Sequence, residues 1–503
     1  MSTVLVQGRG LYSKVKREIA ENILSQSLML LSHSSEKNYR RLMGAFNRIA
    51  GTEHQGTIAA WIDNWLAEGN PGGPFLSRLL KGIHPKVRKN YVANMVVSLF
   101  FRDQKIYDRI RKQYGFNPPS VMLVSPTMRC NYKCGGCYAA NYTRNDDLPP
   151  EVFDRLVTEA EQLGIKFMPI LGGEPFIYPH LLDIFRKHPK ACFQPYTNGS
   201  LIDKEMAAKL VNLGNVAPMV SVDGFEEQTD ARRGKGAFAR AMRAMDNLRE
   251  AGCLFGFSVM VDRDNIDAIT SDEFIDLMIE KGALYGWFFL YIPVGRDPDI
   301  SLMPTAAQRN QLRLAVNRFR STRPILAVDF WSDGPLTAGC INGGRIYFHV
   351  NHNGDVEPCI FVHFATHNIK NCSLVEALNS PFFRGLREMQ PFSYNTLLPC
   401  PIIDHPRIMR TALQRWGAYP THEGAERTFT DPELMAGLDK YSREVEEMFT
   451  PIWEKEYGWA EKWMEIMDHP PEKIQARKRA YDARREKEKK RAHSPNDLGD
   501  SSR

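Results

Sequence analysis

The chain has 503 residues, 43% of them hydrophobic and 25% charged, enough to bury one large core with one or two smaller ones. No run approaches the ~18 consecutive apolar residues of a membrane span, and the first residues lack the phases of a signal peptide, so a cytoplasmic location is expected. The formal net charge of +6 is modest and weighted toward the C-terminus, so no nucleic-acid surface is read from it.

Residues 1–118 read as a helical N-terminal segment, amphipathic over 11–31 and 89–102, with Pro and Gly gathered over 69–74. Residues 74–102 mix Phe75, Leu79, Leu80 and Phe100 with Arg78, Lys81, Lys86 and Arg88. Such a face can lie on an anionic membrane as a peripheral contact, or pack on a neighbouring domain. Asn117-Pro118-Pro119-Ser120 breaks the pattern, and strand candidates follow at 121–124, 167–171, 192–196, 216–222, 254–261 and 287–292. Helical runs at 150–163, 179–188, 204–213, 238–251 and 273–281 separate them. This alternation predicts an α/β fold, a partial (β/α)6 barrel of the TIM type over 119–300. In such folds the chemistry sits at the C-terminal strand ends.

Residues 301–410 carry a helical run at 305–322 and then a second cysteine region. Residues 411–503 read as a helical C-terminal segment. Its basic run at 473–491, with interspersed acids, is most simply a solvated helix that ends in a polar, partly disordered tail.

Of nine cysteines, Cys130, Cys134 and Cys137 crowd onto one short loop after the first strand. In a reducing compartment such crowding favours metal over disulfides. Three thiolates at this spacing can hold three corners of a 4Fe-4S cube and leave one iron open. A structural zinc site would need a fourth ligand, and none lies nearby in sequence. Cys192 and Cys253 lie in apolar runs and are expected in the core.

The pattern C-x3-C-x2-C followed by Tyr138 resembles the radical SAM superfamily over residues 120–295. The resemblance implies that the open iron is chelated by S-adenosylmethionine, whose reductive cleavage releases a 5'-deoxyadenosyl radical that abstracts hydrogen from substrate. It also implies that Gly172-Gly173-Glu174-Pro175 is the motif receiving the methionine amino group. By the same resemblance Asn198, in Thr197-Asn198-Gly199, and Ser221 and Asp223, in Ser221-Val222-Asp223-Gly224, lie near the nucleoside. Arg233 would then face the methionine carboxylate.

In the second region, Asn353-Gly354 between apolar segments predicts a hairpin that brings Cys340 and Cys359 together. With Cys400-Pro401 the order resembles a SPASM or shortened twitch extension, a small α+β unit holding auxiliary iron-sulfur clusters. Cys400-Pro-Ile-Ile-Asp404-His405 departs from the fuller cysteine pattern. One auxiliary 4Fe-4S cluster on Cys340, Cys359 and Cys400 is therefore expected, its fourth ligand open among Asp404, His405, Cys372 and the substrate.

The expected activity is that of a radical SAM oxidoreductase or transferase, supplied with electrons by a partner such as flavodoxin or ferredoxin. Its substrate would be a peptide, as the extension suggests, or a lipid or other small molecule, as the N-terminal helices suggest. The alternative is a non-catalytic iron-sulfur electron carrier or scaffold, which has no need of a nucleoside site. Formation of 5'-deoxyadenosine from dithionite and S-adenosylmethionine separates the two.

Overall fold

Short apolar runs bounded by turn residues become strands, and longer runs of helical period become the helices between them. The computed structural model describes residues 65–492 except 66, 68, 93, 96–103 and 468. The amphipathic stretch at 11–31 and the tail from 493 therefore lie outside the described residues. Strands β1 (Val121–Val124), β2 (Phe167–Ile170), β3 (Cys192–Thr197), β4 (Met219–Ser221), β5 (Gly256–Val261) and β6 (Tyr285–Leu290) each pair in parallel with the next. The helices Pro150–Gln162, Leu181–Lys187, Lys204–Leu213, Ala237–Ala251 and Asp272–Glu280 connect them. Local chemistry sets their ends: at Lys204–Leu213, Asp203 accepts from the Met206 N–H at 2.7 Å, and Gly214 leaves the helix at φ +80°, as N-cap and left-handed C-cap residues do.

β4 is shorter than the apolar run at 216–222 suggests. Pro218 has no N–H to donate, so Val216 makes only an isolated bridge to Phe193 and the regular ladder begins at Met219. Cys192 and Cys253 are fully buried in the core, as expected.

The sheet does not stop at β6. After the helix Ala306–Thr322, β7 (Leu326–Asp329) pairs in parallel with β6, and β8 (Tyr347–Val350) pairs in parallel with β1. β9 (Val356–Glu357) returns antiparallel on β8 through the Asn353-Gly354 turn, where Gly354 has φ +89°. The order is β7-β6-β5-β4-β3-β2-β1-β8-β9, a partial barrel left unclosed. The segment read as the extension thus supplies β8 to the barrel wall.

The helix Gly72–Gly82 buries Phe75, Leu79 and Leu80, and Arg78 donates to the carbonyls of Pro324, Ile279 and Ala283. The apolar face of this helix is spent on packing and offers none to a membrane surface, while residues 96–102 of the same stretch lie outside the described residues. Among the described residues no helix is long and apolar enough to cross a membrane. The basic run near the C-terminus lies in the helix Pro471–Ala492, which is anchored by buried Ile474 and Tyr481 and by the Lys478–Glu461 ion pair.

Candidate active site

The cysteine loop leaves β1 at the C-terminal edge of the sheet and is held by its neighbours. The Gly135 N–H donates to the Arg232 carbonyl at 3.0 Å, and the Glu174 N–H to the Arg129 carbonyl at 2.8 Å. A methyl group on Gly173 would meet the Arg129 oxygen at 2.1 Å, and one on Gly172 the Thr127 oxygen at 2.1 Å. Only glycine lets the end of β2 press this closely on the loop. Cys130, Cys134 and Cys137 then line a cavity of about 390 Å³ together with Gly172, Gly173, Asn198, Ser221 and Arg233.

Two of the expected carboxylates are turned away from that cavity. Glu174 is fully buried, and its oxygens accept from Thr197 Oγ1 at 2.7 Å, the Asn198 N–H at 2.8 Å and the Phe176 N–H at 3.3 Å. Burial pushes its pKa up to about 7 against those hydrogen bonds. Asp223 is 1% exposed and accepts from Arg232, Arg233 and the Met260 N–H. Burial would raise its pKa, but the two guanidiniums outweigh burial and hold the carboxyl well below its usual range. Glu174 therefore braces the Thr197-Asn198 strand end, and Asp223 braces the two arginines, which themselves line the cavity. Arg233 feels the thiols of Cys134 and Cys137 as well as Asp223, so it stands beside the loop already paired.

Several lining residues lie outside the sequence motifs. Ser258 Oγ lies 3.2 Å from Ser221 Oγ, and the Tyr291 ring backs Gly136. Below them Phe167, Tyr196, Trp287, Phe289 and Phe330 form an aromatic wall, with Phe289 and Phe330 stacked at 4.5 Å. The strand alternation held the signal: in β6, Trp287 and Phe289 face the cavity while Gly286 and Phe288 are buried behind. What it could not show was that the barrel interior stays hollow instead of being filled.

Cys340, Cys359 and Cys400 line the same cavity. The hairpin places Cys359 beside Tyr347, a partner the sequence did not suggest, whose O–H donates to Cys359 Sγ at 2.8 Å. Burial raises the Cys340 thiol to about 12 and Cys359 to about 11, and the charge of Cys359 raises Cys340 further. Three proposed fourth ligands are engaged elsewhere. Asp404 is fully buried in a salt bridge with Arg309 at 2.5 Å and accepts from the Cys400 N–H at 2.9 Å. His405 Nε2 lies 2.9 Å from the Leu398 carbonyl, and Cys372 Sγ lies 3.3 Å from the Asn368 carbonyl.

Both thiol triplets suit iron-sulfur clusters. Among the described residues no group of three Cys, His, Asp or Glu side chains is arranged to hold a single metal ion. Backbone N–H groups already point at the sulfurs, from Tyr132 to Cys130 and from Ile402 to Cys400, both at 3.4 Å. Buried donors without a partner, Arg232 Nε beside the first triplet and Trp331 Nε1 by the second, belong to cavity-lining residues. Inorganic sulfides accept from such donors.

The two regions are joined by a buried polar hub. Glu357 accepts from Tyr142 of the first loop at 2.7 Å and from Thr421 at 2.5 Å, and it faces His349 Nδ1 at 2.6 Å. His349 Nε2 reaches Ser125 Oγ at 2.7 Å. Serine, histidine and carboxylate stand in the order of a hydrolase triad, yet Ser125 is fully buried. The arrangement ties β1, β8 and β9 together.

A profile of the radical SAM superfamily matches residues 124–275, and one of the SPASM type, an iron-sulfur cluster-binding domain, matches residues 340–401. The mycofactocin maturase MftC of Mycobacterium ulcerans is 31% identical over 298 residues, which cover 55% of this chain and 79% of that protein. The chain belongs to the radical SAM superfamily. An Fe-coproporphyrin III synthase of Methanosarcina barkeri is 30% identical over 252 residues, 46% of this chain and 61% of that protein. Among solved structures, Streptococcus suis SuiB bound to S-adenosylmethionine superposes with a TM-score of 0.49 at 19% identity, over 58% of this chain and 73% of that one. As a radical SAM enzyme with a SPASM segment, the protein uses S-adenosylmethionine and 4Fe-4S clusters, an auxiliary one included.

Proposed function

We propose that this radical SAM enzyme modifies a peptide, with Cys130, Cys134 and Cys137 holding the cluster that binds S-adenosylmethionine and Cys340, Cys359 and Cys400 holding one auxiliary cluster. The observation that carries the proposal is the sharing of one cavity by both triplets. When bound, the first cluster and S-adenosylmethionine supply one-electron cleavage and a hydrogen-abstracting carbon radical. The chain's own residues do the rest. Gly172 and Gly173 keep the end of β2 against the loop, Asn198 and Ser221 offer hydrogen-bonding groups to the nucleoside, and Arg233, steadied by Asp223, offers positive charge to a carboxylate. The aromatic wall of Trp287, Phe289 and Phe330 excludes water and favours an apolar side chain of the substrate.

The peptide reading is supported by the maturase name of the MftC relative. The lipid reading draws no support from Gly72–Gly82, whose apolar face is packed. A flavodoxin or ferredoxin is proposed as electron donor. The test is anaerobic reconstitution followed by incubation with dithionite, S-adenosylmethionine and short peptides encoded by neighbouring reading frames. Release of 5'-deoxyadenosine together with a mass change in the peptide is expected. Release with the peptide intact would overturn the substrate, and no release from fully loaded protein would overturn the site.

A further inference from the structure

Tyr347 opens β8, and its place is set by backbone pairing: it stands opposite Val121 of the parallel β1, and its N–H donates to the Ile341 carbonyl at 3.0 Å. Across the hairpin the ladder pairs Val350 with Val356 and His349 with Glu357, so two residues farther along Tyr347 meets Cys359. The phenol O–H donates to Cys359 Sγ at 2.8 Å, and the same sulfur receives the Phe361 N–H at 3.5 Å. Cys130 and Cys400 take backbone N–H groups from the residue two positions on. Cys359 therefore carries a side-chain donor in addition to that common backbone feature. Tyr347 also lines the cavity with all three auxiliary thiols, and nothing assigned above uses it.

The geometry points to Tyr347 as a positioning residue that raises the reduction potential of the auxiliary cluster by donating its phenol proton to the Cys359 sulfur. A hydrogen bond to a ligand sulfur stabilises the more negative, reduced cluster, and such bonds are among the levers that set iron-sulfur potentials. A phenol is a better donor than a backbone amide at the same sulfur and can be removed without touching a ligand. The inference rests on the proposed auxiliary site and deepens it, since a cluster that is easier to reduce is better suited to accept an electron from the substrate side.

The test uses full-length protein in which Cys130, Cys134 and Cys137 are replaced by alanine, leaving only the auxiliary cluster. After anaerobic reconstitution, iron and sulfide are counted and the cluster is titrated by EPR with and without Tyr347→Phe. The Phe variant is expected to load the same iron and to show a lower midpoint potential. It should also lose an exchangeable proton coupling that the Tyr347 protein shows by ENDOR after transfer from D2O to H2O. An unchanged potential with full loading would overturn the role of Tyr347 alone. Failure of the Phe variant to load where its parent loads would also overturn it, because a donor that tunes is dispensable for assembly. If the parent itself takes up no cluster, the auxiliary site falls, and Tyr347 with it.

Discussion

The two cysteine regions line one cavity but are built in opposite ways. The first is a local device: three thiols within eight residues, placed by a single strand end and held by backbone contacts to Arg129, Thr127 and Arg232. The second is gathered from 61 positions of chain, by the SPASM match's first and last cysteines, through a hairpin, a buried Arg309–Asp404 pair and the Glu357 hub. A loop site tolerates change in the body that carries it. A gathered site inherits every weakness of the packing that gathers it.

That contrast can be broken most directly at the thiols. Replacing Cys130, Cys134 or Cys137 with serine is expected to bring 5'-deoxyadenosine formation down to background while iron at the second site is retained. Replacing Cys340 or Cys400 should instead leave cleavage of S-adenosylmethionine measurable and abolish the modified peptide. Loss of cleavage in both sets would mean that the regions act as one unit.

Next in size is Arg309→Met, which strands the fully buried Asp404 carboxylate. Breaking such a pair costs about 3–5 kcal/mol, read as a lower denaturation midpoint with preferential loss of iron from the second site. Adding Asp404→Leu should recover much of that stability, because removing both charges removes the stranded one.

Tyr142→Phe is expected to cost about 1.5–3 kcal/mol, the usual worth of a hydrogen bond to a charged group, since Glu357 is buried and held ionised by His349 and Thr421 against its desolvation. The effect should reach both regions, because Tyr142 sits on the first loop and Glu357 on the hairpin of the second.

The smallest effect concerns pH and the first region alone. Glu174 has its pKa raised from 4.5 to about 7 in the folded chain. The folded state therefore keeps a proton that the unfolded state has lost, so stability is fully present below pH 4.5 and declines as pH rises toward 7. A drop of about 2–4 °C in the melting temperature of the cluster-free protein between pH 5 and 7 is expected. Glu174→Gln should flatten that dependence, and an equal slope in the variant would place the titrating group elsewhere.

The same contrast explains what could be read from sequence. The first triplet, the glycine turn and the βα alternation are local patterns, and each is found in the expected order, with the ends of β4, β5 and β6 shifted by up to three residues. The hairpin at Asn353-Gly354 was legible for the same reason. Illegible were the partners that contacts create: Glu174 and Asp223 have the right residue type near the site, yet their carboxylates are consumed by Asn198, Thr197 and two arginines. Asp404 and His405 looked free until tertiary structure supplied Arg309 and Leu398. No spacing rule encodes β8 beside β1, because that pairing joins strands more than two hundred residues apart.

That long-range pairing makes the accessory segment part of the wall instead of an appendage. A shortened chain ending near residue 300 would leave β1 as an open edge, its N–H and C=O groups bare beside a hollow aromatic interior. Exposed edges of this kind recruit other strands, so such a fragment is expected to aggregate however intact its cysteine loop remains.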